Sequence, residues 1–507
     1  MDLTGFAQDV LMSFYTLMLV LVSLYGLHRY ILVYLYYRHR RNTPKPMGEF
    51  ADLPVVTIQL PMYNERTVAR RIIEKTCEID YPREKMHIQV LDDSTDDTVH
   101  IAAKAVEEAR AKGFDIEYIH RDNRSGFKAG ALTNGMKTCR GEFITIFDSD
   151  FIPATDILQR SMQYFTDPKV CVVQTRWDHL NRTDSWLTRT QAIFLDGHFV
   201  IEHIARNRSE RFMSFNGTAG TWRKCAIDDA GGWHHDTLTE DLDLSYRAQL
   251  KGWKFIFLPE LTAPAELPPE MCAFKAQQHR WTKGGAQTTL KLLPKIMLSK
   301  APLKVKIEAF FHLTSFTLHL YMCLLVMMLF PAMYIRATTG GTTGMWHSIF
   351  DITVFTLATM SANVFYVASQ LFTRGSFIES IKYMPVMMAL GVGMCVSNAK
   401  AVLEAFFGQK SDFVRTPKHG DTMMPADMPL DGPKKKKKFN WVPYVEFVMG
   451  IYMTACLVWS LIDMRGLLTA PFLVLFAFGF FYVSCLSFLS ERAAKPVAKP
   501  TPAKQKA

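Results

Sequence analysis

Long apolar runs lie near both ends of the chain and flank a more polar central region. The runs that are long enough to cross a bilayer are 10–37, 307–334, 346–372, 442–462 and 467–489. A membrane-spanning helix needs about 20 apolar residues, so each run is predicted to be a transmembrane helix. The central region instead alternates short apolar and polar stretches, which is typical of a folded, water-exposed domain. The pattern therefore predicts one such domain built into a membrane protein.

A shorter apolar piece, 384–397, falls below the length of a span and is typical of a re-entrant or interfacial segment. If it crossed the membrane, the loop with Lys410, Arg415, Lys418 and the five lysines at 434–438 would lie outside, against the positive-inside bias. With this piece on the membrane surface, five spans place every basic cluster in the cytoplasm. We therefore predict five spans.

Short apolar runs that end in polar clusters recur through the central region. They lie at 55–60, 87–91, 116–119, 143–147, 170–174 and 253–258, with a helical pattern such as 98–112 between some of them. Alternation of strands and helices predicts an α/β domain with a mostly parallel sheet. Ligands of such sheets bind at the carboxyl ends of the strands, so polar residues directly after strands are the candidates for a site.

Composition and charge refine this picture. The chain is 49% hydrophobic and 21% charged, which excludes disorder and fits the membrane segments. Its net charge of +10 comes from Lys and Arg beside the apolar runs and in the tail, where anionic lipid attracts them. No nucleic-acid partner is therefore predicted. The nine cysteines are scattered without a CxxC pair and predict neither disulfides nor a zinc site.

Carboxylates follow two of the predicted strands. Asp92 and Asp93 follow one, and Asp148 and Asp150 follow another that is predicted to be buried. Two carboxylates in one short turn repel each other unless a divalent cation lies between them, and such a cation can also bridge to a diphosphate. The Asp-x-Asp pattern alone is weak, since 241–243 repeats it, and an ordinary Asp-capped turn is the alternative.

Three further segments are candidates. Lys128 lies among glycines and can reach a diphosphate, although a solvated surface lysine fits as well. The Thr-Glu-Asp triplet at 239–241 opens a predicted helix, where an Asp is often only a cap. The Gln-x-x-Arg-Trp stretch at 277–281 lies on a helical segment near the membrane, where the Trp either stacks on a sugar ring or belongs to an interfacial belt.

In their order along the chain, these motifs resemble a known signature. Asp92-Asp93, Asp148-x-Asp150, Thr239-Glu240-Asp241 and Gln277-x-x-Arg280-Trp281 are similar to the D, DxD, TED and QxxRW motifs of the processive family 2 glycosyltransferases of the cellulose synthase superfamily. Stretches such as 59–65, 121–124 and 215–220 look most like the plant cellulose synthase-like A and C proteins, which make β-1,4-mannan or glucomannan and the xyloglucan backbone. The resemblance covers about residues 54–285.

The resemblance implies a GT-A type α/β domain, with a mixed and mostly parallel sheet, inserted in an all-α membrane domain of about five transmembrane helices plus interfacial helices. The predicted parts are an N-terminal transmembrane helix with a basic juxtamembrane segment (1–49), a cytoplasmic catalytic domain (50–300), a transmembrane hairpin (301–372), an interfacial helix with a gating-like loop and polybasic segment (373–441), a second hairpin (442–490) and a disordered basic tail (491–507).

The resemblance also implies residue roles. Tyr63, Glu65, Asp92, Asp93, Lys128 and Asp148 are expected to bind a nucleotide sugar, Asp148 and Asp150 to hold Mg²⁺ or Mn²⁺, and Asn216, Gly217, Thr218, Gln277, Arg280 and Trp281 to bind the acceptor. Asp241 is expected to be the general base, with Glu240 beside it. Phe413, Thr416 and Lys418 resemble the gating loop of cellulose synthase, an F-x-V-T-x-K sequence from which Arg415 departs.

The implied function is an inverting, metal-dependent hexosyltransferase that polymerises a β-linked mannan, glucomannan or glucan and exports it through its membrane helices. The donor stays open between UDP-glucose and GDP-mannose, and so does any accessory subunit. The location expected is the plasma, inner or Golgi membrane. One alternative is the transfer of a single sugar to a ceramide or polyprenyl phosphate. Another is a transporter or scaffold, which would not need paired carboxylates after strands.

Overall fold

A seven-stranded mixed sheet forms the centre of the structure, a computed structural model that describes residues 3–338, 342–409, 418, 420, 439–462 and 469–493. The strands are β1 (Val56–Met62), β2 (Met86–Asp92), β3 (Asp115–His120), β4 (Phe143–Ile146), β5 (Val170–His179), β6 (Gly220–Arg223) and β7 (Lys254–Ala265). Their order is β3-β2-β1-β4-β6-β5-β7. β6 runs antiparallel to β4 and β5, and the other pairs are parallel. The predicted mostly parallel sheet is present, whereas β6 was not predicted.

Helices pack on the sheet and continue into the apolar ends of the chain. The first ten are α1 (Leu3–His39), α2 (Ala69–Cys77), α3 (Thr98–Ala111), α4 (Phe127–Gly135), α5 (Ile157–Met162), α6 (Trp186–Asp196), α7 (Ile204–Arg208), α8 (Lys224–Asp229), α9 (Glu240–Leu250) and α10 (Met271–Leu298). The later ones are α11 (Leu303–Thr314), α12 (Leu318–Thr338), α13 (Thr342–Arg374), α14 (Phe377–Lys382), α15 (Met384–Gly393), α16 (Cys395–Phe406), α17 (Val442–Ile462) and α18 (Ala470–Ala493). A π-helical turn, Gly197–His203, joins α6 to α7.

The strand ends bring the predicted motifs to one edge of the sheet. β1 and β2 pair in parallel so that Met62 lies opposite Asp92, and β4 runs parallel to β1 on its other side. Parallel strands end at the same edge, so the turns after β1, β2 and β4 lie side by side there. The edge thus collects the segments that carry Tyr63, Asp93 and Asp148.

The apolar core of the sheet is continuous with two long helices of the membrane region. One face of the sheet packs against Val200 and Ile204 of the π-helical turn and α7, and this cluster also contains Tyr36 of α1 and Phe365 of α13. Tyr36 and Phe365 are each only 2% exposed. Burial of large aromatic side chains of this kind stabilises an interface strongly. The central domain is therefore docked onto α1 and α13 and shares their core.

Six helical segments of the described chain are long and apolar enough to cross a membrane. They are Gly5–His39, Leu303–Thr338, Ile349–Arg374, Ser380–Phe406, Val442–Ile462 and Ala470–Arg492. Five correspond to the predicted spans, so a multi-pass membrane protein is confirmed. The sixth contains the apolar piece 384–397, which the sequence suggested was too short to cross the membrane. The helical segment is 27 residues long, so its length does not exclude a span.

The additional segment, Ser380–Phe406, differs from the other five in its burial. Of its most apolar window, 78% is buried inside the protein, against 22–44% for the others. It breaks at Met394 between α15 and α16 and packs against α10, α12 and α18. A broken helix enclosed by protein is compatible with either a span or a re-entrant segment. The five-span topology therefore stays a prediction.

Small residues allow α15 and α18 to cross closely, which gives a test of this packing. A Cβ on Gly393 would lie 2.3 Å from the carbonyl oxygen of Gly479, closer than atoms can approach. We expect Gly393→Ala to destabilise the protein by about 1–3 kcal/mol through overpacking. Gly391→Ala is the matched control in the same helix, because its added Cβ meets nothing within 4 Å. Thermal unfolding in detergent measures both, and equal melting temperatures would contradict this packing.

Candidate active site

A cleft of about 1300 Å³, its open mouth included, lies at the carboxyl edge of the sheet and reaches α9 and α10. The predicted site residues that line it are Tyr63, Glu65, Asp93, Lys128, Asp148, Asp150, Asn216, Gly217, Glu240, Asp241, Gln277, Arg280, Trp281 and Lys418. These residues come from segments up to about 350 positions apart in the chain. Phe413 and Thr416 of the gating-like loop lie outside the described residues.

Hydrogen bonds with neighbouring segments fix the turn after β4, which carries Asp148 and Asp150. The backbone N–H of Asp148 donates to the hydroxyl of Thr218 over 2.8 Å. The hydroxyl of Ser149 donates to the carbonyl of Pro61 at the end of β1, over 3.3 Å. These bonds tie the turn to two neighbouring segments. The paired carboxylates are therefore held at the floor of the cleft.

Thr218 was expected to bind the acceptor, but the structure gives it a different place. Its side chain is fully buried and does not line the cleft, and its hydroxyl accepts from the N–H of Asp148. In this structure Thr218 therefore positions the Asp148 turn, and its role towards the acceptor stays a prediction.

Each carboxylate of the pair has a lysine beside it. The ammonium of Lys128, on the first turn of α4, donates to Asp148 over 2.5 Å and to the carbonyl of Gly217 over 2.9 Å. Lys418 donates to Asp150 over 2.6 Å, although 268 residues separate them in the chain. The prediction that Lys128 and Lys418 belong to one site is therefore supported by their positions.

A second set of contacts fastens the segment around Lys418 to the cleft. The carbonyl of Lys418 accepts from the hydroxyl of Thr67 over 2.9 Å, and its ammonium donates to the carbonyl of Glu266 over 3.2 Å. The N–H of Gly420 donates to the Glu266 carboxylate, which also pairs with Arg71 at 2.8 Å. Lys418 and Gly420 therefore both contact Glu266, which lines the cleft.

The oxygen donors of Asp148 and Asp150 suit a hard divalent cation. The side chain of Asp148 is 37% exposed, so it is open to the cleft, and that of Asp150 is 10% exposed. Mg²⁺ and Mn²⁺ prefer carboxylate oxygen and keep places for a phosphate oxygen or water. The two carboxylates fit such an ion, which would also replace the lysine charges that now balance them.

Asp92, which was expected to bind the nucleotide sugar, does not line the cleft in this structure. It is fully buried, and its carboxylate accepts from the hydroxyl of Tyr118 over 2.7 Å and from the N–H of Ser94 over 2.8 Å. Both oxygens are thus engaged within the protein and fix the turn after β2. Asp93 beside it reaches the cleft and pairs with Arg121, and a donor-binding role for Asp92 stays a prediction.

An arginine that the sequence did not single out as a site residue lies over Tyr63. The guanidinium carbon of Arg124 is 3.4 Å from the centre of the Tyr63 ring, and both side chains line the cleft. Burial lowers the pKa of Arg124. A stacked pair of this kind offers a flat surface for an aromatic base. The usable signal was the position of Arg124 shortly after a predicted strand and four residues before Lys128.

The predicted general base lies where α9 begins. Oδ1 of Asp241 accepts from the N–H of Leu242 over 2.8 Å, which fixes the carboxylate, and the other oxygen faces Gly217. Burial and the neighbouring charge of Glu240 raise the pKa of Asp241 to about 7. A carboxylate with a pKa near neutrality is suited to accept a proton. The geometry therefore supports Asp241 as a base.

Asp241 and Lys128 both approach Gly217 closely. A Cβ at this position would lie 2.9 Å from Oδ2 of Asp241 and 3.5 Å from Nζ of Lys128. Its φ of +83° is also one that favours glycine. The absence of a side chain at Gly217 therefore leaves room for both charged groups in the cleft.

Asp243, which repeats the Asp-x-Asp pattern after Asp241, has a structural place. It is fully buried and pairs with Arg247 at 2.7 Å and Lys291 at 2.8 Å. A carboxylate oxygen of Asp243 also lies near a ring nitrogen of His234 and a carboxylate oxygen of Asp236, and the ammonium of Lys291 contacts both carboxylates. Asp243 is therefore engaged in two ion pairs within the protein.

The Gln277–Trp281 stretch lies on α10 and faces the cleft with Gln277, Arg280 and Trp281. The intervening His279 points elsewhere and contacts Glu404 of α16 at 3.0 Å, as does Lys283 one turn later. Burial lowers the pKa of Arg280, although the nearby Glu240 and Asp148 oppose this shift. Helix α10 is thus held from behind by α16 while it presents its polar face to the site.

Asn216 is oriented by two histidines that sequence reasoning missed. His198 and His203, both on the π-helical turn, contact the side-chain amide of Asn216 at 2.9 and 2.7 Å. The same turn carries Glu202, whose carboxylate lies 3.1 Å from Arg206. A π-turn changes which side chains share a face, and no sequence pattern marked it. The loop with Asn216 and Gly217 is therefore fixed by the π-helical turn, whose residues pack against α1 and α13.

Comparison with known proteins agrees with this geometry. Residues 54–284 match the family model described as "Glycosyltransferase like family 2". The chain is similar to probable glucomannan 4-beta-mannosyltransferase 10 of Arabidopsis thaliana, at 34% identity over 80% of this chain and 73% of the relative. It is also similar to glucomannan 4-beta-mannosyltransferase 7 of the same plant, at 32% identity over 87% of this chain and 79% of the relative.

A solved structure shares the fold. A mannosyltransferase from Pyrobaculum calidifontis, solved with GDP-Man and Mn²⁺, aligns with a TM-score of 0.54 at 20% identity and covers 78% of this chain and 100% of its own. The chain belongs to glycosyltransferase family 2. The predicted GT-A type fold and the predicted class, a membrane-embedded hexosyltransferase that uses a nucleotide sugar, are confirmed. Glycosyltransferases of this fold typically use a divalent metal.

Proposed function

We propose that the protein polymerises a β-1,4-linked mannan or glucomannan from GDP-mannose, with Mg²⁺ or Mn²⁺, on the cytoplasmic side of a membrane. The observation that carries this proposal is the similarity to plant glucomannan 4-beta-mannosyltransferases over 80% of the chain, membrane helices included. The intact cleft supports it, since the four motifs meet there. Of the two donors that the sequence left open, the relatives favour the mannose donor.

In the proposed reaction, Asp148 and Asp150 hold the divalent cation, which supplies charge stabilisation to the departing diphosphate. Lys128 adds a positive charge on the same side, and Tyr63 with Arg124 offers the surface for the base. Asp93 and Glu65 line the wall beside it. These residues hold the donor so that its anomeric carbon faces Asp241.

Asp241 then acts on the acceptor. Its carboxylate takes the proton of the acceptor hydroxyl while that oxygen forms a bond to the anomeric carbon, and the bond from this carbon to the diphosphate oxygen breaks. Attack from the opposite face converts an α-linked donor into a β-linked product. The proton leaves Asp241 for solvent before the next cycle. Burial, together with the charge of Glu240, keeps the pKa of Asp241 high enough for this role.

The acceptor end of the chain is proposed to lie along α10. Trp281 offers a flat face to the apolar side of a sugar ring, and Gln277 and Arg280 offer hydrogen-bond donors beside it. Asn216 and Gly217 form the opposite wall. The growing polymer is proposed to pass from there between the membrane helices, with the end of the gating loop at Lys418 closing the mouth over the donor.

The test supplies membranes that contain the protein with labelled GDP-mannose or UDP-glucose and with Mg²⁺ or Mn²⁺. We expect alcohol-insoluble polymer from GDP-mannose that a β-1,4-mannanase digests, and none with an Asp241→Asn variant. If polymer forms only from UDP-glucose and only a glucanase digests it, the assignment of GDP-mannose as the donor is wrong. A single labelled sugar on lipid, with no polymer, would overturn the processive reaction.

A further inference from the structure

A second cavity, rich in arginine, lies away from the cleft where the central domain meets α1 and α13. Its basic side chains are Arg40 and Arg41, which directly follow α1, together with Arg160 and Arg208. One carboxylate, that of the exposed Glu260, also lines it. Arg160 also pairs with Asp156 at 3.4 Å, which leaves three guanidinium groups facing one carboxylate, an imbalance that favours an anionic ligand.

Arg208 provides a separate sign that a ligand belongs there. Its side chain is 8% exposed, its Nε has no hydrogen-bond partner, and its Nη1 donates only to the neighbouring Asn207 at 3.3 Å. The carboxylate of Glu260 lines the same cavity and its charge acts on Arg208, but it forms no ion pair with Arg208 among the described residues. Burial lowers the pKa of Arg208 to about 10. A buried guanidinium without a hydrogen-bonded anion is unfavourable, and a phosphate would supply that partner.

The cavity lies beside the ends of membrane helices, where a lipid headgroup is expected. Two candidate spans, Gly5–His39 and Ile349–Arg374, end beside it, and Phe372 from the second lines it. Tyr36 and Tyr164 add aromatic walls, and aromatic side chains are enriched at this level of a bilayer. A ligand here would therefore have its polar group among the arginines and its tail in the bilayer.

We propose that this cavity binds the phosphate of an anionic membrane lipid. Arginine binds phosphate through paired N–H donors, and basic pockets beside transmembrane helices bind anionic headgroups. The site is separate from the proposed active site, and its argument does not depend on which sugar is transferred. A free phosphate shares the recognition chemistry but lacks the acyl chains that would lie along α1 and α13.

The test uses the purified full-length protein in a zwitterionic detergent. The probes are dioctanoyl phosphatidic acid, dioctanoyl phosphatidylcholine and inorganic phosphate, with binding followed by native mass spectrometry and by melting temperature. We expect saturable binding of phosphatidic acid that raises the melting temperature, with each of the other two at least about tenfold weaker.

Charge variants separate the cavity from general attraction. Arg40→Gln with Arg41→Gln, both exposed, is expected to weaken phosphatidic acid binding about tenfold or more. Arg38→Gln with Lys45→Gln is the matched control, because it removes the same charge from the same segment without touching the cavity. Arg208→Gln tests the buried group directly. Any of three results would overturn the lipid site. They are an equal loss of phosphatidic acid binding in the double variant and its control, the absence of saturable binding, and binding of inorganic phosphate as tight as that of phosphatidic acid.

Discussion

Asp241→Asn is expected to reduce the rate of sugar transfer by about 10²–10⁴-fold, the usual contribution of a general base. The amide keeps the size of the side chain but cannot accept the proton. The carboxylate of Asp241 is fixed at the start of α9, because its Oδ1 accepts from the N–H of Leu242. Another carboxylate is therefore not expected to take its place. The measurement is kcat for polymer formation in reconstituted membranes.

Asp243→Asn is the comparison, two residues along the same helix. Asp243 is fully buried and pairs with Arg247 and Lys291, so the change leaves buried cations without their anion. We expect it to lower stability by about 3–5 kcal/mol while the protein that remains folded keeps its activity. Normal kcat in Asp241→Asn, or equal losses of kcat per folded molecule in both variants, would refute the base.

The pH dependence of kcat/KM is a second test of Asp241 as the general base. Because the pKa of Asp241 is raised to about 7, kcat/KM is expected to fall about tenfold per pH unit as the pH drops below 7. Glu240→Gln removes a charge that raises this pKa, so the acid limb should move to lower pH. An unchanged limb in Glu240→Gln would show that another group controls the profile.

Asp148→Ala is expected to be the second most damaging change. The bound cation contributes several kcal/mol to charge stabilisation, and each 1.36 kcal/mol is tenfold in rate, so the loss should be about 10³-fold. Its carboxylate is the more exposed of the pair and also contacts Lys128. Mn²⁺ binding in the presence of GDP, followed by electron paramagnetic resonance, should weaken in parallel. Asp115→Asn, an exposed carboxylate on β3, should change neither rate nor Mn²⁺ binding.

Much of the fold was predictable because its signals are local. The apolar runs, the six strands with apolar cores and the polar turns after them are all present along the sequence. β6 was missed because it has only four residues and directly follows a Gly-rich loop. This segment becomes a strand only because it pairs with β4 and β5. Strand pairing of this kind is set by distant residues.

The site was predictable to the level of which segments meet, but not which side chains face inward. Asp92 and Asp93 are adjacent in sequence, yet only the second reaches the cleft, because successive residues at the end of β2 point to opposite sides. Thr218 likewise lies beneath the cleft, whereas its neighbour Gly217 lines it. Arg124 and the two histidines behind Asn216 needed tertiary contacts to be found.

The shared core of the central domain, α1 and α13 has a consequence for how the protein can be divided. An isolated 50–300 fragment would lose Tyr36 and Phe365 from its core and expose the apolar side chains of the π-helical turn and α7 to water. We therefore expect a truncation to these residues to aggregate. The same contacts hold the cleft at a fixed position relative to α1 and α13, so the domain and these two helices are expected to move as one body.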